Sequence, residues 1–323
     1  MTKRLLSLFF LCALAGQGLL AQVTTSSLTG IIKTTANAPL AGATVTATNL
    51  PSGSVYSSTT TSKGQYNIQN MRVGGPYQVK ITYVGYATQT FDDVYLRLAE
   101  SFNLDATLST GDQNLGTVVV TAGNRNSLLS ATRNGTTTNI SSRQILTLPT
   151  ISRSINDLTR LTPQATSTNT GAIGGGNYRQ NFITVDGSDF NNSFGIGNNL
   201  PAGGSPISLD ALGEISINVT PYDIKQSGFI GSAINAVTRS GTNDFSGSAY
   251  TFWRNESMQG NKVGYNTPFT KQNLSVNTYG ARLGGPIIKN KLFFFVNFET
   301  GKTISPGQTN VASTPSASYG TSG

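Results

Sequence analysis

Apolar and polar residues alternate with period two in runs spread along this 323-residue chain between Tyr77 and Glu299, which leaves little room for an all-helical fold. Tyr77, Val79, Ile81 and Tyr83 oppose Gln78, Lys80 and Thr82. Ile215, Ile217 and Val219 repeat the pattern, and Leu292, Phe294, Val296 and Phe298 alternate with Phe293, Phe295, Asn297 and Glu299. Successive side chains of a strand point to opposite faces, so each run predicts a sheet with one face in an apolar medium. The fold class that follows is mainly β. What changes along the chain is strand length and what the apolar face is offered to.

Over residues 22–108 the strands are short and the turns frequent. Six are expected: Leu28 to Lys33, Thr44 to Asn49, Ser54 to Thr61, Gln65 to Gln69, Tyr77 to Tyr83 and Ser101 to Leu108. Turns at Ala41-Gly42, Lys63-Gly64 and Gly74-Gly75-Pro76 separate them, and strands at this spacing predict a small Ig-like β-sandwich. A linker over 109–126 follows, polar at its start. It holds a β-prone stretch, Thr117, Val118, Val119, Val120, Thr121 and Ala122, that reads either as an ordinary edge strand or as a strand waiting for a partner's sheet.

Residues 127–240 mix elements and predict a compact α+β domain. Ile151, Ile155, Leu158 and Leu161 recur at helical spacing, Ser154 and Asp157 can form a capping box, and Pro163 forbids continuation. Phe182 to Val185 runs into the Asp186-Gly187 turn, and Gly213 to Val219 and Ala233 to Arg239 are further strands. Gly- and Asn-rich loops lie between them.

Over 241–302 the strands lengthen and gain aromatics at their ends. Phe245, Gly247, Ala249, Thr251 and Trp253 share one face of the first, which spans about 26 Å at ~3.3 Å per residue, comparable to the apolar band of a membrane barrel. The set Leu292, Phe294, Val296 and Phe298 is expected to face lipid, with Lys289, Asn290 and Lys291 in a short polar turn before it. Residues 303–323 are of low complexity. After Gly241 the chain has 82 residues, room for about four to six strands, fewer than the eight of the smallest closed barrels, so most of the barrel is expected to lie beyond Gly323.

The first residues set the compartment. Lys3 and Arg4 precede an apolar run from Leu5 to Ala15 and small residues ending at Ala21, which predicts a secretory signal over 1–21 and a mature start at Gln22. The single cysteine, Cys12, falls inside it, so disulfide, thiolate and zinc-thiolate chemistry have no residue to use in the mature chain. Histidine is absent throughout, which removes the commonest general base and metal ligand, and an enzyme is not expected. Removing Lys3 and Arg4 from the 22 basic residues leaves 20 against 14 acids, a net +6 that is scattered instead of forming a basic patch, so nucleic acid is not an expected partner.

Taken in order, these residues resemble a TonB-dependent transporter of the Oar-like type with an N-terminal carboxypeptidase-regulatory-like domain. The resemblance rests on Leu28 to Ile32, Pro39 to Val45, Lys63 to Ile68 and Gly75 to Tyr86 for the Ig-like domain. It rests on Thr117 to Ala122 as a TonB-box-like stretch. For a plug domain it rests on Leu158 to Pro163, Asn181 to Gly187 and Ile234 to Phe245, and for the first barrel strands on Gly284 to Phe295. It implies an outer-membrane antiparallel β-barrel with the plug inside, importing a bulky nutrient such as an iron chelate, a glycan or a peptide. The implied partners are a TonB-type energising protein of the inner membrane, outer-membrane lipid and an extracellular ligand, with a surface lipoprotein as an optional further one. No cofactor or metal is implied. A structural or adhesive surface protein without transport is the alternative reading.

Within the plug-like segment, Tyr178, Arg179, Asp186, Asp189 and Phe190 are the candidate ligand contacts, because they sit among loops on a compact scaffold. Asp186 and Asp189 lack the spacing and closing glutamate of a calcium loop.

Overall fold

A computed structural model describes residues 24–110, 118–121, 136–150, 153–165, 172–191, 207–219, 231–260, 271 and 273–305. The expected signal over 1–21 lies outside these residues, as do Thr117 and Ala122. The chain divides into two compact units, 1–246 with 283–296, and 247–282 with 297–323.

The sandwich begins with β1 (Ser26–Thr34), β2 (Thr44–Asn49), β3 (Val55–Thr59), β4 (Gln65–Met71) and β5 (Gly74–Thr82) and continues through β6 (Gln89–Leu96), β7 (Ser101–Asn103), β8 (Ala106–Leu108) and β9 (Val118–Thr121). One sheet runs β4-β1-β7, with β8 also on β1; the other runs β3-β2-β5-β6-β9. Their inner faces are the alternating sets read from sequence: Leu28 and Ile32 from one sheet meet Val45, Tyr77, Val79 and Ile81 from the other, all fully buried. At ~1.5–3 kcal/mol per buried aliphatic or aromatic side chain, these contacts supply most of the driving force for the sandwich.

Two strands differ from the sequence reading. β6 was not expected, because its alternation is broken. Thr90 and Phe91 are both buried, Asp93 takes a positive φ of 58°, and burial resumes at Val94 and Leu96. This is a bulge, marked by the register shifts against β5, and it moves the apolar phase by one residue. The single strand expected over Ser101 to Leu108 is instead two, both parallel to β1. At the break the Leu104 N–H donates to the Thr29 carbonyl at 2.8 Å, and Asp105 Oδ1 accepts from the Ile31 N–H at 2.8 Å, so the side chain replaces a missing ladder bond.

The plug-like segment contains β10 (Thr137–Ser141), α1 (Ser142–Thr147), α2 (Ile155–Thr159), β11 (Phe182–Val185), β12 (Ser188–Asp189), β13 (Leu212–Asn218) and β14 (Ala233–Thr238). The strands form one sheet in the order β10-β13-β14-β11-β12. Ser154 caps α2 in a box closed by Asp157. A second box, Ser141 with Gln144, starts α1, a helix the sequence reading missed although its S-x-x-Q signature is present. Ile145, Ile155 and Leu158 from the helices cover Ile183, Ile215, Ile217 and Ile234 on the sheet. The opposite face carries a polar row across all five strands, in which Asn139, Ser216, Asn235, Thr184 and Asp189 are cross-strand partners in turn. Alternation puts these residues on the face away from the apolar core, where water would be expected; Ser216, Asn235 and Thr184 are nevertheless buried.

β15 (Ser246–Asn255), β16 (Ser275–Ile288) and β17 (Leu292–Ile304) form a three-stranded sheet in chain order. Trp253 on β15, Tyr279, Leu283 and Ile287 on β16, and Leu292, Val296 and Phe298 on β17 are exposed. Polar contacts gather on the other side, where Tyr250 Oη donates to Glu299 Oε2 and Arg282 Nε donates to Ser248 Oγ at 2.8 Å. An apolar outer face and a polar inner face are the pattern of a membrane barrel wall. Among the described residues no helix is long and apolar enough to cross a membrane.

Candidate functional site

The box-like stretch forms β9, the terminal strand of the second sandwich sheet. It runs parallel to β6, with Val118 opposite Gln89, Val119 opposite Thr90, Val120 opposite Phe91 and Thr121 opposite Asp92. Both sequence readings of this stretch describe an extended segment; here it pairs within the chain, and as the last strand in the order its other edge has no strand partner among the described residues.

The loop candidates sit close together in sequence around one hairpin. Phe182–Val185 turns through Asp186 (φ 49°) and Gly187 (φ 81°) into Ser188–Asp189. Both central residues have positive φ, the requirement that makes Asp-Gly a favoured two-residue turn. Asp186 Oδ1 accepts from the Thr238 N–H at 2.9 Å and Oδ2 from Thr238 Oγ1 at 2.7 Å, so this carboxylate fastens the hairpin to β14. Asp189 Oδ1 accepts from both the backbone and the side-chain amide of Asn191, each at 2.8 Å. Phe190 packs against the apolar core. Arg179 is exposed on the 3-10 turn Tyr178–Gln180, and the Tyr178 side chain lies outside the described positions. Asp186→Ala removes both bonds to Thr238 and places a Cβ-bearing residue without a local acceptor at positive φ. It is expected to reduce stability by about 1–2 kcal/mol, seen as faster amide exchange at Thr238 than at Ile234.

A group that the sequence reading passed over is Glu214 on β13. It is buried, its Oε1 accepts from the Leu98 N–H at 2.9 Å, and burial pushes its carboxyl up to about 7. The Leu98 hydrogen bond and the Arg97 guanidinium pull the other way, and Glu100 adds to the rise. Its position between Gly213 and Ile215 marked it only as the polar side of an alternating strand. The signal that could have found it is the lone carboxylate in a strand whose other polar positions are Ser216 and Asn218. An ion pair, Arg153 with Asp210 at 2.8 Å, joins the turn before α2 to the 3-10 turn preceding β13. Among the described residues no group of three acidic, cysteine or histidine side chains could hold a metal ion.

Residues 27–109 match the carboxypeptidase regulatory-like domain, and residues 237–322 match the outer membrane beta barrel domain. The chain therefore carries a stretch that matches a carboxypeptidase regulatory-like domain, followed by one that matches an outer-membrane β-barrel domain. It is similar to the TonB-dependent transporter Oar of Myxococcus xanthus, 36% identical over 153 residues. That match covers 45% of this chain and 14% of the relative's length. Among solved structures, the siderophore receptor PirA from Acinetobacter baumannii is similar with 22% identity and a TM-score of 0.40, over 52% of this chain and 24% of that one. Catechol 1,2-dioxygenase from Acinetobacter radioresistens is similar at 12% identity and a TM-score of 0.24, over 32% and 58%.

Proposed function

We propose that this chain belongs to an outer-membrane receptor that imports a bulky nutrient, such as an iron chelate, a glycan or a peptide, through a plugged barrel energised from the inner membrane. The observation that carries this reading is β9. A four-residue extended segment at the end of a sheet, on a sequence tether running from Gly111 to Gly116, suits recognition by strand addition, in which main-chain hydrogen bonds to a partner's sheet provide the affinity. The kinship with Oar supports it, as does the strand pattern that follows. The connection over Lys289–Lys291 is short, as periplasmic turns of barrels are, whereas that between β15 and β16 is long, as their outer loops are. On the same reading the hairpin carrying Asp186, Asp189 and Phe190, with Tyr178 and Arg179 on the adjacent turn, is the cargo-facing part of the plug.

Deleting residues 117–122 from the full-length protein is expected to reduce energised uptake to background while surface display is unchanged. It should also abolish capture of the periplasmic domain of a TonB-type protein. Undiminished capture and uptake would sink the import reading and favour a structural or adhesive role.

A further inference from the structure

The sandwich and the plug-like sheet have separate apolar cores. The bonds recorded between them are polar. The Leu98 N–H donates to Glu214, and Asn139 Nδ2 on β10 donates to Glu100 Oε2 at 3.3 Å. Beyond β14, the Asn243 N–H donates to the Pro51 carbonyl at 2.8 Å, and the Arg72 guanidinium donates to Ser240 Oγ. Asn243 in turn exchanges two hydrogen bonds with Asn290 in the β16–β17 turn, at 2.7 and 2.8 Å. A seam held by single hydrogen bonds and by the fully buried Leu98 side chain, which belongs to neither core, exchanges most of its partners for water when it opens, and so opens at smaller cost than an apolar core of many side chains. Asn139 sharpens this. Its Nδ2 reaches the sandwich while its Oδ1 is buried with no hydrogen-bond partner among the described residues, so opening returns that oxygen to water.

We propose that the sandwich is a releasable cap on the plug-like sheet, and that protonation of the Glu214 carboxyl latches it. The geometry supplies the latch. Among the described residues Glu214 is the carboxylate of the sheet that accepts a backbone N–H from the sandwich, and it is buried at that contact. Docked, it faces Arg97 and Glu100 from the loop between β6 and β7. On the sheet side, Ser141 and Val237 lie opposite it on β10 and β14, neither of them charged. The nearby cation of β14, Arg239, is engaged by the Leu212 and Ser142 carbonyls.

The sign follows from burial. In the docked state the carboxyl titrates at about 7, and on undocking it returns toward 4.5. The docked state therefore holds the extra proton between these values. Docking is strongest below about 4.5, weakens as pH rises toward 7, and above 7 is at its weakest. The inference holds whether or not the barrel imports anything, since it concerns only how the two domains are joined.

The test is amide hydrogen exchange on the full-length protein in detergent or lipid, corrected for intrinsic rate, from pH 5 to 8. Protection of the Leu98 amide is expected to fall on the order of a hundredfold across that range, while Ile215 and Ile234 in the plug-like sheet keep theirs. Glu214→Gln, which retains the acceptor and cannot ionise, should hold Leu98 protected at every pH. Glu100→Gln provides a second handle: removing the neighbouring negative charge should move the midpoint to lower pH. Protection of Leu98 that does not change with pH overturns the proposal, as does a wild-type slope surviving in Glu214→Gln, or a midpoint that Glu100→Gln leaves in place or raises.

Discussion

Gly30→Val is expected to prevent the sandwich from reaching its native structure, or to lower its stability by about 3 kcal/mol or more. Gly30 lies in β1 where the chain between β7 and β8 crosses closely above it. A Cβ built there would stand 2.1 Å from the Leu104 carbonyl oxygen and 2.9 Å from Tyr66 Cε1. That carbonyl is the acceptor for the Tyr66 hydroxyl at 2.8 Å, and the Leu104 N–H is held by Thr29. Tyr66 is buried, and burial moves its phenol well above the ordinary range, so water cannot replace the lost acceptor. A side chain at position 30 must therefore push Leu104 away and break both bonds, adding the penalty of a stranded buried hydroxyl to the steric one. The measurement is urea unfolding of residues 23–110, which have their own core and are expected to unfold cooperatively. Gly85→Ala is the control. Gly85, unlike Gly30, has a positive φ, 82°, but a Cβ there meets nothing within 4 Å, so it is expected to lose only about 1 kcal/mol. Equal losses at the two positions would remove close approach as the reason for glycine at 30.

The second large effect is expected on the outer face of the barrel strands. Val296 is 61% exposed on β17, in line with Leu292 and Phe298. Exposure on this scale by a row of large apolar side chains is costly in water and favourable against hydrocarbon. In the full-length protein, Val296→Arg is expected to weaken insertion into lipid vesicles by about 2–4 kcal/mol, the range for arginine near the bilayer midplane. Asn297 points to the other face, and Asn297→Ser should change insertion by no more than about 1 kcal/mol. Folding yields into vesicles across a urea series read both. Equal tolerance at 296 and 297 would mean that this face does not meet lipid.

Much of this architecture was legible because strands with one apolar face announce themselves by a period of two. The runs Tyr77 to Tyr83, Gly213 to Val219 and Leu292 to Glu299 follow from that pattern, and strands occupy Gly74–Thr82, Leu212–Asn218 and Leu292–Ile304. The Ser154 cap was legible as well, because capping is local chemistry between residues three apart. The elements that escaped are those in which the pattern is interrupted or too short. A bulge at Asp93 moved the core phase of β6 from Phe91 to Val94 and Leu96 and hid the period, and β8 and β12 are too brief to show one. The candidate site divides in the same way. The extended nature of Val118 to Thr121 follows from three consecutive β-branched residues, and the turn at Asp186-Gly187 from the need for positive φ. That β9 lies along β6, that Asp186 is spent on Thr238, and that Glu214 sits at a domain seam are contacts between residues distant in the chain.

The amino-acid sequence by itself determined the class of chain this is: β-rich, thiol-free and histidine-free after its signal-like start, with short-strand, mixed and long-strand segments in that order. These are properties of composition and local periodicity, which need no knowledge of what packs against what. Only the tertiary structure decided which polar residues are buried. Ser216, Asn235 and Thr184 of the polar row, and Glu214, occupy positions that alternation assigns to water, and all four are buried. Burial is set by the whole fold, and with it the raised carboxyl of Glu214, since desolvation depends on every atom that displaces water around the group and not on its neighbours in sequence.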